Sequence, residues 1–210
     1  MDIQFIERLE RELEEELPGR KAHLLMAPLS RQDEIEIPDD HIHACVLLLL
    51  FPKNKEWHIV LIERADDNPH DHHAGQISLP GGRFEDTDYS YQDCALREAE
   101  EEIGINASDV GVIGELSQIY IPISNYLIYP FIGFMSDEPE FSMQKSEVKR
   151  IIDVLIKSFI ESKYKKITDL TVRQTTLVNV PYYDISNRVI WGATAMILSE
   201  FESIIKKVIK

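Results

Sequence analysis

One stretch of the chain combines residue types suited to metal and phosphate chemistry, a pair of glycines followed by a helix rich in acids. Gly81 and Gly82 precede a predicted helix whose second half carries the run REAEEE. At about 3.6 residues per turn, Glu98, Glu101 and Glu102 fall within an arc of about 100°. Carboxylates this close repel one another unless a cation lies among them, and Mg²⁺ and Mn²⁺ prefer such oxygen ligands. The pattern predicts a metal site, and its alternative is an exposed acidic helix face.

The limits of this helix are also visible in the sequence. Ser90 with Asp93 three residues later resembles a capping box, with Asp in place of Glu. Gly104 stands where a left-handed residue ends a helix. The face that packs is expected to contain Leu96, Ala99 and Ile103. The two glycines in front allow the backbone to approach a phosphate or the helix, which an exposed acidic helix does not need.

Composition limits the class of protein. The 210 residues are 44% hydrophobic, enough for one core, and the net charge is −15. We expect residues 1–36 to form an N-terminal helix and entry segment, and residues 37–210 the main domain. The negative charge argues against nucleic acid or an anionic membrane as a partner. Cys45 and Cys94 fit no metal spacing and indicate reduced thiols in a cytoplasmic protein without a signal peptide.

Hydrophobic patterning predicts alternating helices and strands around the acidic helix. Predicted helices cover residues 3–17 and 193–209, with a short one after the apolar segment 151–162. Predicted strands cover residues 43–51, 57–64, 110–121, 127–135, 171–183 and 187–191. The continuous apolar run at 43–51 is typical of a central strand covered on both faces.

The acidic helix and its loop resemble the Nudix box. Residues 97–105, from Arg97 to Ile105, match its last nine positions. Fourteen residues separate Gly82 from Arg97, where the box has thirteen, so either Asp88 or a neighbour takes the place of its first glutamate. The coenzyme A pyrophosphatase branch of the family looks similar in carrying such an extra residue.

A second signature of that branch lies upstream of the box. The strand end Leu61–Arg64, a polar loop, and the segment His73–Gly82 are similar to the branch pattern, with Leu79 where Phe is usual. The step IWGATA at residues 190–195 and the pair Glu147–Val148 also resemble the branch. The resemblance therefore covers nearly all of the chain.

The resemblance implies an α/β fold, the Nudix α/β/α sandwich, in which a mixed sheet lies between helices and the box forms a loop-helix-loop. It implies hydrolysis of the pyrophosphate bond of coenzyme A or its thioesters to 3′,5′-ADP and a 4′-phosphopantetheine. The cofactor would be Mg²⁺ or Mn²⁺ and the partner a small-molecule substrate, with a homodimer left open. Two alternatives are hydrolysis of ADP-ribose, NADH or a dinucleotide, and an inactive nucleotide-sensing Nudix domain.

On this hypothesis the metal ligands are Glu98, Glu101 and Glu102, and the general base is Glu98 by preference. Otherwise Glu147, or another of the three glutamates, takes the proton of the attacking water. Arg97 lies four residues before Glu101 and can fix its rotamer.

The expected substrate-binding residues are Arg64, His73, Gly81, Gly82 and Arg83. Arg64 can bind phosphate with its planar fork or form a salt bridge with a nearby acid.

Two further groups of residues have open roles in the sequence. The trio His70, His72 and His73 follows no common zinc spacing, so it belongs either to a loop contacting the substrate or to a solvated loop. In the entry segment, the basic residues either contact substrate phosphates or keep the loop soluble. They are Arg20, Lys21 and Arg31.

Overall fold

The computed structural model describes residues 3–31, 35–66, 73–172 and 175–209, apart from the side chains of Ser30 and Ser162. His70 and His72 of the predicted loop lie outside these residues. Across the described ranges, every helix is too short or too polar to cross a bilayer.

Five helices and eleven strands are formed by the described residues. The helices are α1 (Ile3–Leu13), α2 (Gly19–His23), α3 (Tyr91–Ile103), α4 (Lys157–Ile160) and α5 (Gly192–Val208). The strands are β1 (Ile42–Lys53), β2 (Glu56–Arg64), β3 (Ile77–Ser78), β4 (Gly81–Arg83), β5 (Gly111–Glu115), β6 (Ile119–Ile121), β7 (Tyr126–Phe134), β8 (Val148–Leu155), β9 (Lys165–Val172), β10 (Thr175–Ile185) and β11 (Arg188–Ile190). Short 3₁₀ turns occupy Leu24–Met26, Leu29–Arg31, Ala107–Asp109 and Ser162–Tyr164.

The main sheet is mixed. Its strand order is β3-β2-β1-β7-β5, with β4 paired to β1, β6 to β7 and β8 to β2. Strand β1 runs parallel to β7, from Ile42 opposite Tyr126 to Leu50 opposite Phe134, and its other pairings are antiparallel. A separate three-stranded sheet has the order β11-β10-β9.

Strand β1 is covered on both faces, which explains its continuous apolar run. Leu48 and Leu50 belong to the core that contains α1 and α5, whereas Leu47 and Leu49 belong to the core under α3. Side chains of a strand alternate between its two faces, so each layer receives every second residue. The predicted α/β/α sandwich with a mixed sheet is confirmed.

Three predicted elements differ from the structure. Helix α1 ends at Leu13, four residues early, where Glu14, Glu15 and Glu16 would oppose the negative end of the helix dipole. The predicted strand 110–121 is divided into β5 and β6, because the Ser117 N–H leaves the ladder and donates to Glu200.

The predicted strand 171–183 was also wrong, since Val172 pairs with Thr175 and the chain reverses between β9 and β10. Residues 172–175 contain no Gly, Pro, Asn or Asp, so no turn signal marked the reversal.

A buried carboxylate fastens the entry segment to the body of the fold. Glu200 of α5 is 0% exposed and accepts hydrogen bonds from the N–H of Gly19 (2.8 Å) and from the N–H and hydroxyl of Ser117 (3.1 and 2.7 Å). His23 Nε2 lies 2.9 Å from Glu200 Oε2, the oxygen that also accepts from the Ser117 N–H. Burial alone would raise the pKa of Glu200, but the hydrogen bonds from His23 and Ser117 outweigh it and lower that pKa below the ordinary value.

We expect Glu200→Gln to lower the free energy of unfolding by about 2–4 kcal/mol at pH 7, because a buried hydrogen-bonded charge is replaced. Since the folded-state pKa is depressed, Glu200 stabilises the fold above its unfolded pKa, and this contribution is lost as pH falls through the folded pKa. The wild-type advantage should therefore shrink between about pH 5 and pH 3 in urea unfolding. Glu10→Gln, on the exposed side of α1, is the matched control. A Glu200→Gln variant as stable as wild type at pH 7 would contradict this role.

Candidate active site

The two glycines bring the loop and the acidic helix into direct contact. The N–H of Gly81 donates to Glu102 Oε2 at 2.8 Å. Gly81 has φ +152°, and a Cβ there would lie 2.2 Å from the carbonyl oxygen of Cys45 on β1. At Gly82, a Cβ would lie 2.5 Å from the carboxyl carbon of Glu98. Both positions need glycine, one to lie against β1 and the other to admit a carboxylate.

Of the three predicted metal ligands, Glu102 is buried and Glu98 is partly buried, with 12% of its side chain exposed. Glu102 is 1% exposed, and burial raises its pKa to about 8, against the opposing effects of the Gly81 N–H and Arg64. Burial likewise raises the pKa of Glu98, even though Arg97 favours its charged form. The negative charges of Glu98 and Glu147 also raise the pKa of Glu102. These carboxylates form a cluster in which like charges lie close to one another.

Arg97 is the cation that orders this cluster. It makes a bidentate pair with Asp88, at 2.7 Å from Nε to Oδ1 and 3.0 Å from Nη2 to Oδ2. Its Nη1 donates to Glu98 Oε1 at 2.8 Å and to Glu101 Oε2 at 3.4 Å. The predicted contact with Glu101 is present but is the longest of these. Hydrogen bonding from Arg97 lowers the pKa of Asp88, although burial opposes it.

Asp88 is a residue whose role the sequence left open. It lies nine residues before Arg97, and its backbone N–H donates to the Glu85 carbonyl at 3.0 Å in the loop that contains the extra residue. The bidentate pair shows that Asp88, rather than a neighbouring acid, fixes the guanidinium. The sequence shows several acids in this loop, but the spacing to Arg97 alone did not identify Asp88 as its partner.

The upstream signature reaches the same carboxylate. Arg64 Nη1 lies 3.7 Å from Glu102 Oε1, and the Arg64 N–H donates to the Gln76 carbonyl at 3.0 Å. His73 Nδ1 lies 3.2 Å from Gln76 Oε1. Of the two roles considered for Arg64, phosphate binding and a salt bridge with a nearby acid, the structure shows the salt bridge. The acid is Glu102, the buried member of the carboxylate cluster.

The remaining predicted residues lie at the margin of the cluster. Glu147 is exposed and lies close enough to raise the pKa values of Glu98 and Glu102. Glu101 is turned outward, with 55% of its side chain exposed. The Arg83 side chain is exposed, and its carbonyl accepts from Arg97 Nη2 at 3.2 Å.

The last turn of α3 is tied to the loop that carries Glu147. The Gln144 N–H donates to the Glu102 carbonyl at 3.0 Å, and the Ser142 N–H to the Ile103 carbonyl at 2.9 Å. Carbonyl groups in the last turn of a helix have no hydrogen-bond partner within the helix, and here the N–H groups of the loop are their donors.

The donor set fits a hard divalent cation. Glu98 and Glu102 project from one helix beside the glycine loop, with Glu147 nearby. Burial raises both pKa values, repulsion from the neighbouring carboxylates adds to the rise, and a bound cation would relieve that repulsion. Within the described ranges, no three His, Cys, Asp or Glu side chains are grouped closely enough as they stand to hold an ion. Binding therefore requires rotation of a side chain, with exposed Glu101 and Glu147 the ones able to turn. The metal assignment stays a prediction.

We expect Gly82→Ala to lower kcat/KM by about 10- to 100-fold with little loss of stability, because the added methyl displaces only the flexible end of Glu98. Gly81→Ala should instead lower the melting temperature strongly, since its methyl meets the backbone of β1. Kinetics and thermal melts of both variants test this contrast. Combining Gly82→Ala with Glu98→Ala should remove the overlap without restoring activity. A fully active Gly82→Ala variant would contradict the close approach.

Comparisons with known proteins agree with this arrangement. A family model described as the NUDIX domain matches residues 41–151, more than half of the chain. An uncharacterized Nudix hydrolase, NudL, of Photorhabdus laumondii subsp. laumondii is 30% identical over 164 residues, which cover 78% of this chain and 85% of the relative. The NudL of Escherichia coli O7:K1 is 33% identical over 129 residues, which cover 61% of this chain and 66% of the relative.

Solved structures share the fold. The Nudix hydrolase RenU from M. smegmatis superposes with a TM-score of 0.52 at 16% identity, covering 80% of this chain and 87% of its own. The MutT protein from Methanosarcina mazei Go1 superposes with a TM-score of 0.50 at 15% identity, covering 83% of this chain and 99% of its own. Nudix hydrolases generally use divalent metal ions. With its glycine loop and acidic helix in contact, the chain belongs to the Nudix family and is a pyrophosphohydrolase of nucleoside diphosphate derivatives.

Proposed function

We propose that this Nudix hydrolase cleaves the pyrophosphate bond of coenzyme A or its thioesters, giving 3′,5′-ADP and a 4′-phosphopantetheine. The observation that carries the proposal is the meeting of two sequence signatures at Glu102. The box contributes Glu102 itself, and the upstream signature contributes the Gly81 N–H at 2.8 Å and Arg64 at 3.7 Å. The segment typical of the coenzyme A branch therefore belongs to the same site as the acidic helix.

On this proposal, Glu98, Glu101 and Glu102 hold Mg²⁺ or Mn²⁺. When bound, the metal neutralises charge on the diphosphate and lowers the pKa of a bound water. The same two effects are what pyrophosphate hydrolysis requires, because its transition state gains charge on the phosphoryl oxygens.

The protein's own groups position the reaction. Arg97 pairs with Asp88 and holds Glu98 at 2.8 Å, so the rotamer of Glu98 is fixed beside Gly82. The raised pKa of Glu98 makes it a stronger base than an exposed glutamate, which suits it to take the proton of the attacking water. Glu147 is the second candidate base.

The alternatives need the same acidic helix and differ in substrate. ADP-ribose, NADH or a dinucleotide would use the same glutamates, and only the upstream signature favours coenzyme A. An inactive sensing domain is disfavoured because Arg97, Glu98, Glu101 and Glu102 are all present, with Arg97 in contact with Glu98 and Glu101.

Product analysis separates these substrates. With Mg²⁺ or Mn²⁺, we expect release of 3′,5′-ADP from coenzyme A, with slow turnover of ADP-ribose, NADH and diadenosine polyphosphates, resolved by chromatography. Faster cleavage of ADP-ribose or a dinucleotide would be consistent with metal binding by the α3 glutamates but would refute the coenzyme A assignment. No turnover of any of them with either metal would favour the inactive domain.

Glu102→Gln should separate activity from stability. We expect turnover to fall at least about 100-fold, because a ligand and its charge are lost. The metal-free protein should melt about 2–4 °C higher at pH 7, corresponding to about 1 kcal/mol, because Glu102, with its pKa raised to about 8, ionises more readily in the unfolded chain than in the folded one, and Gln does not ionise. Glu100→Gln, on the exposed side of α3, is the control and should change neither quantity. Full turnover of Glu102→Gln would contradict the metal assignment.

A further inference from the structure

Arg31 is a half-buried cation whose contacts with the described residues are all neutral. It ends the 3₁₀ turn Leu29–Arg31, and its Nη2 donates to the carbonyl oxygen of Tyr120 on β6. Its Nη1 lies 3.7 Å from the sulfur of Met196 on α5. Its Nε is buried without a hydrogen-bond partner in the described ranges.

Such a guanidinium is unusual in a folded protein. Burial lowers the pKa of Arg31, and the carboxylates of the described residues form no ion pair with it. Buried charges are normally paired, because taking them out of water is costly. One carbonyl and one thioether do not supply the anionic partner that the planar fork of arginine matches best. In the same entry segment, Arg20 and Lys21 are exposed on α2.

Two elements connect the surroundings of Arg31 to the glycine loop. Thr194, two residues before Met196 on α5, donates to the Ile77 carbonyl of β3 at 3.1 Å. From Ile77 to Gly81 the chain spans at most about 14 Å. Arg31 is thus joined to the glycine loop through α5 and β3, on the face of the sheet opposite α3.

One more buried polar atom lies close to the strand that Arg31 contacts. The hydroxyl of Ser124, in the turn between β6 and β7, has no hydrogen-bond partner in the described ranges. Buried donors without partners cost free energy and usually indicate an ion, a ligand or ordered water. Arg31 Nε and the Ser124 hydroxyl are thus two donors without partners in the described ranges, one beside β6 and one in the turn after it.

We propose that Arg31 binds a phosphate monoester of the substrate, separate from the diphosphate on which the glutamates act. This inference rests on the proposed function, and in coenzyme A the group is the 3′-phosphate of the ribose. Arg31 then selects substrates that carry a third phosphate, whereas the acidic helix acts on any diphosphate bridge.

The test compares coenzyme A with 3′-dephospho-coenzyme A in wild type, Arg31→Met and Arg31→Lys. We expect Arg31→Met to lower kcat/KM for coenzyme A by about 10- to 100-fold, mainly through KM, with less than about a threefold change for the dephospho form. Arg31→Lys keeps the charge but loses the fork, so its loss should be intermediate. Equal losses on both substrates, or no loss on either, would overturn the inference.

Two controls isolate the contribution of the Arg31 side chain. Lys21→Met removes the same charge from the exposed side of the segment, and an equally selective loss there would assign the effect to net charge and overturn the role of Arg31. Calorimetric binding of 3′,5′-ADP and 5′-AMP gives a readout without turnover. Wild type should bind 3′,5′-ADP more tightly and Arg31→Met should bind both alike.

These measurements separate the two proposals. If wild type hydrolyses neither coenzyme A nor its dephospho form, the proposed function fails, and the binding comparison alone decides on Arg31. If wild type hydrolyses both with the same KM and binds both nucleotides alike, the proposed function stands and the inference fails.

Discussion

The position of one buried carboxylate, that of Glu102, sets the geometry of the site. Burial raises the pKa of this carboxyl group to about 8, and the Gly81 N–H and Arg64 contact it from two segments. Those contacts hold the glycine loop against α3, and β4 in turn pairs with β1 in the middle of the sheet. The central strand β1 and the acidic helix α3 are therefore linked through the Glu102 carboxyl group, whose burial is unfavourable. Sites that concentrate like charges usually lower stability in return for function.

A second buried carboxylate, Glu200, has the opposite electrostatic character. Donors surround it and lower its pKa, whereas burial and neighbouring acids raise the pKa of Glu102. The first arrangement holds the entry segment to α5, and the second places Glu102 next to other acids at the glycine loop. Two glutamates of similar burial thus have different roles because of the groups that face them.

Local signals in the sequence predicted much of this fold. The Ser90 cap, with its hydroxyl accepting from the Asp93 N–H, and the left-handed Gly104 were both expected, and both are present. Contacts between distant segments were not predictable in the same way. The arc of three glutamates suggested equivalent positions, but only the loop decides that Glu102 is buried and Glu101 exposed. Likewise, the hydrogen bonds of Ser117 to Glu200 divide a strand that periodicity alone presents as continuous.

The parallel pairing of β1 with β7 has a consequence for how the chain folds. Residues 42–50 align with residues 126–134, so the central pair closes only after the whole catalytic helix and its loop have been made. Contacts so distant in sequence slow folding, because a long loop must close before the pairing contributes stability. Until then, among the described strands, β1 has only its hairpin partner β2 and the short strand β4 beside it, and the edge that receives β7 is open. A nascent chain interrupted before β7 would therefore expose a hydrophobic strand edge prone to aggregation.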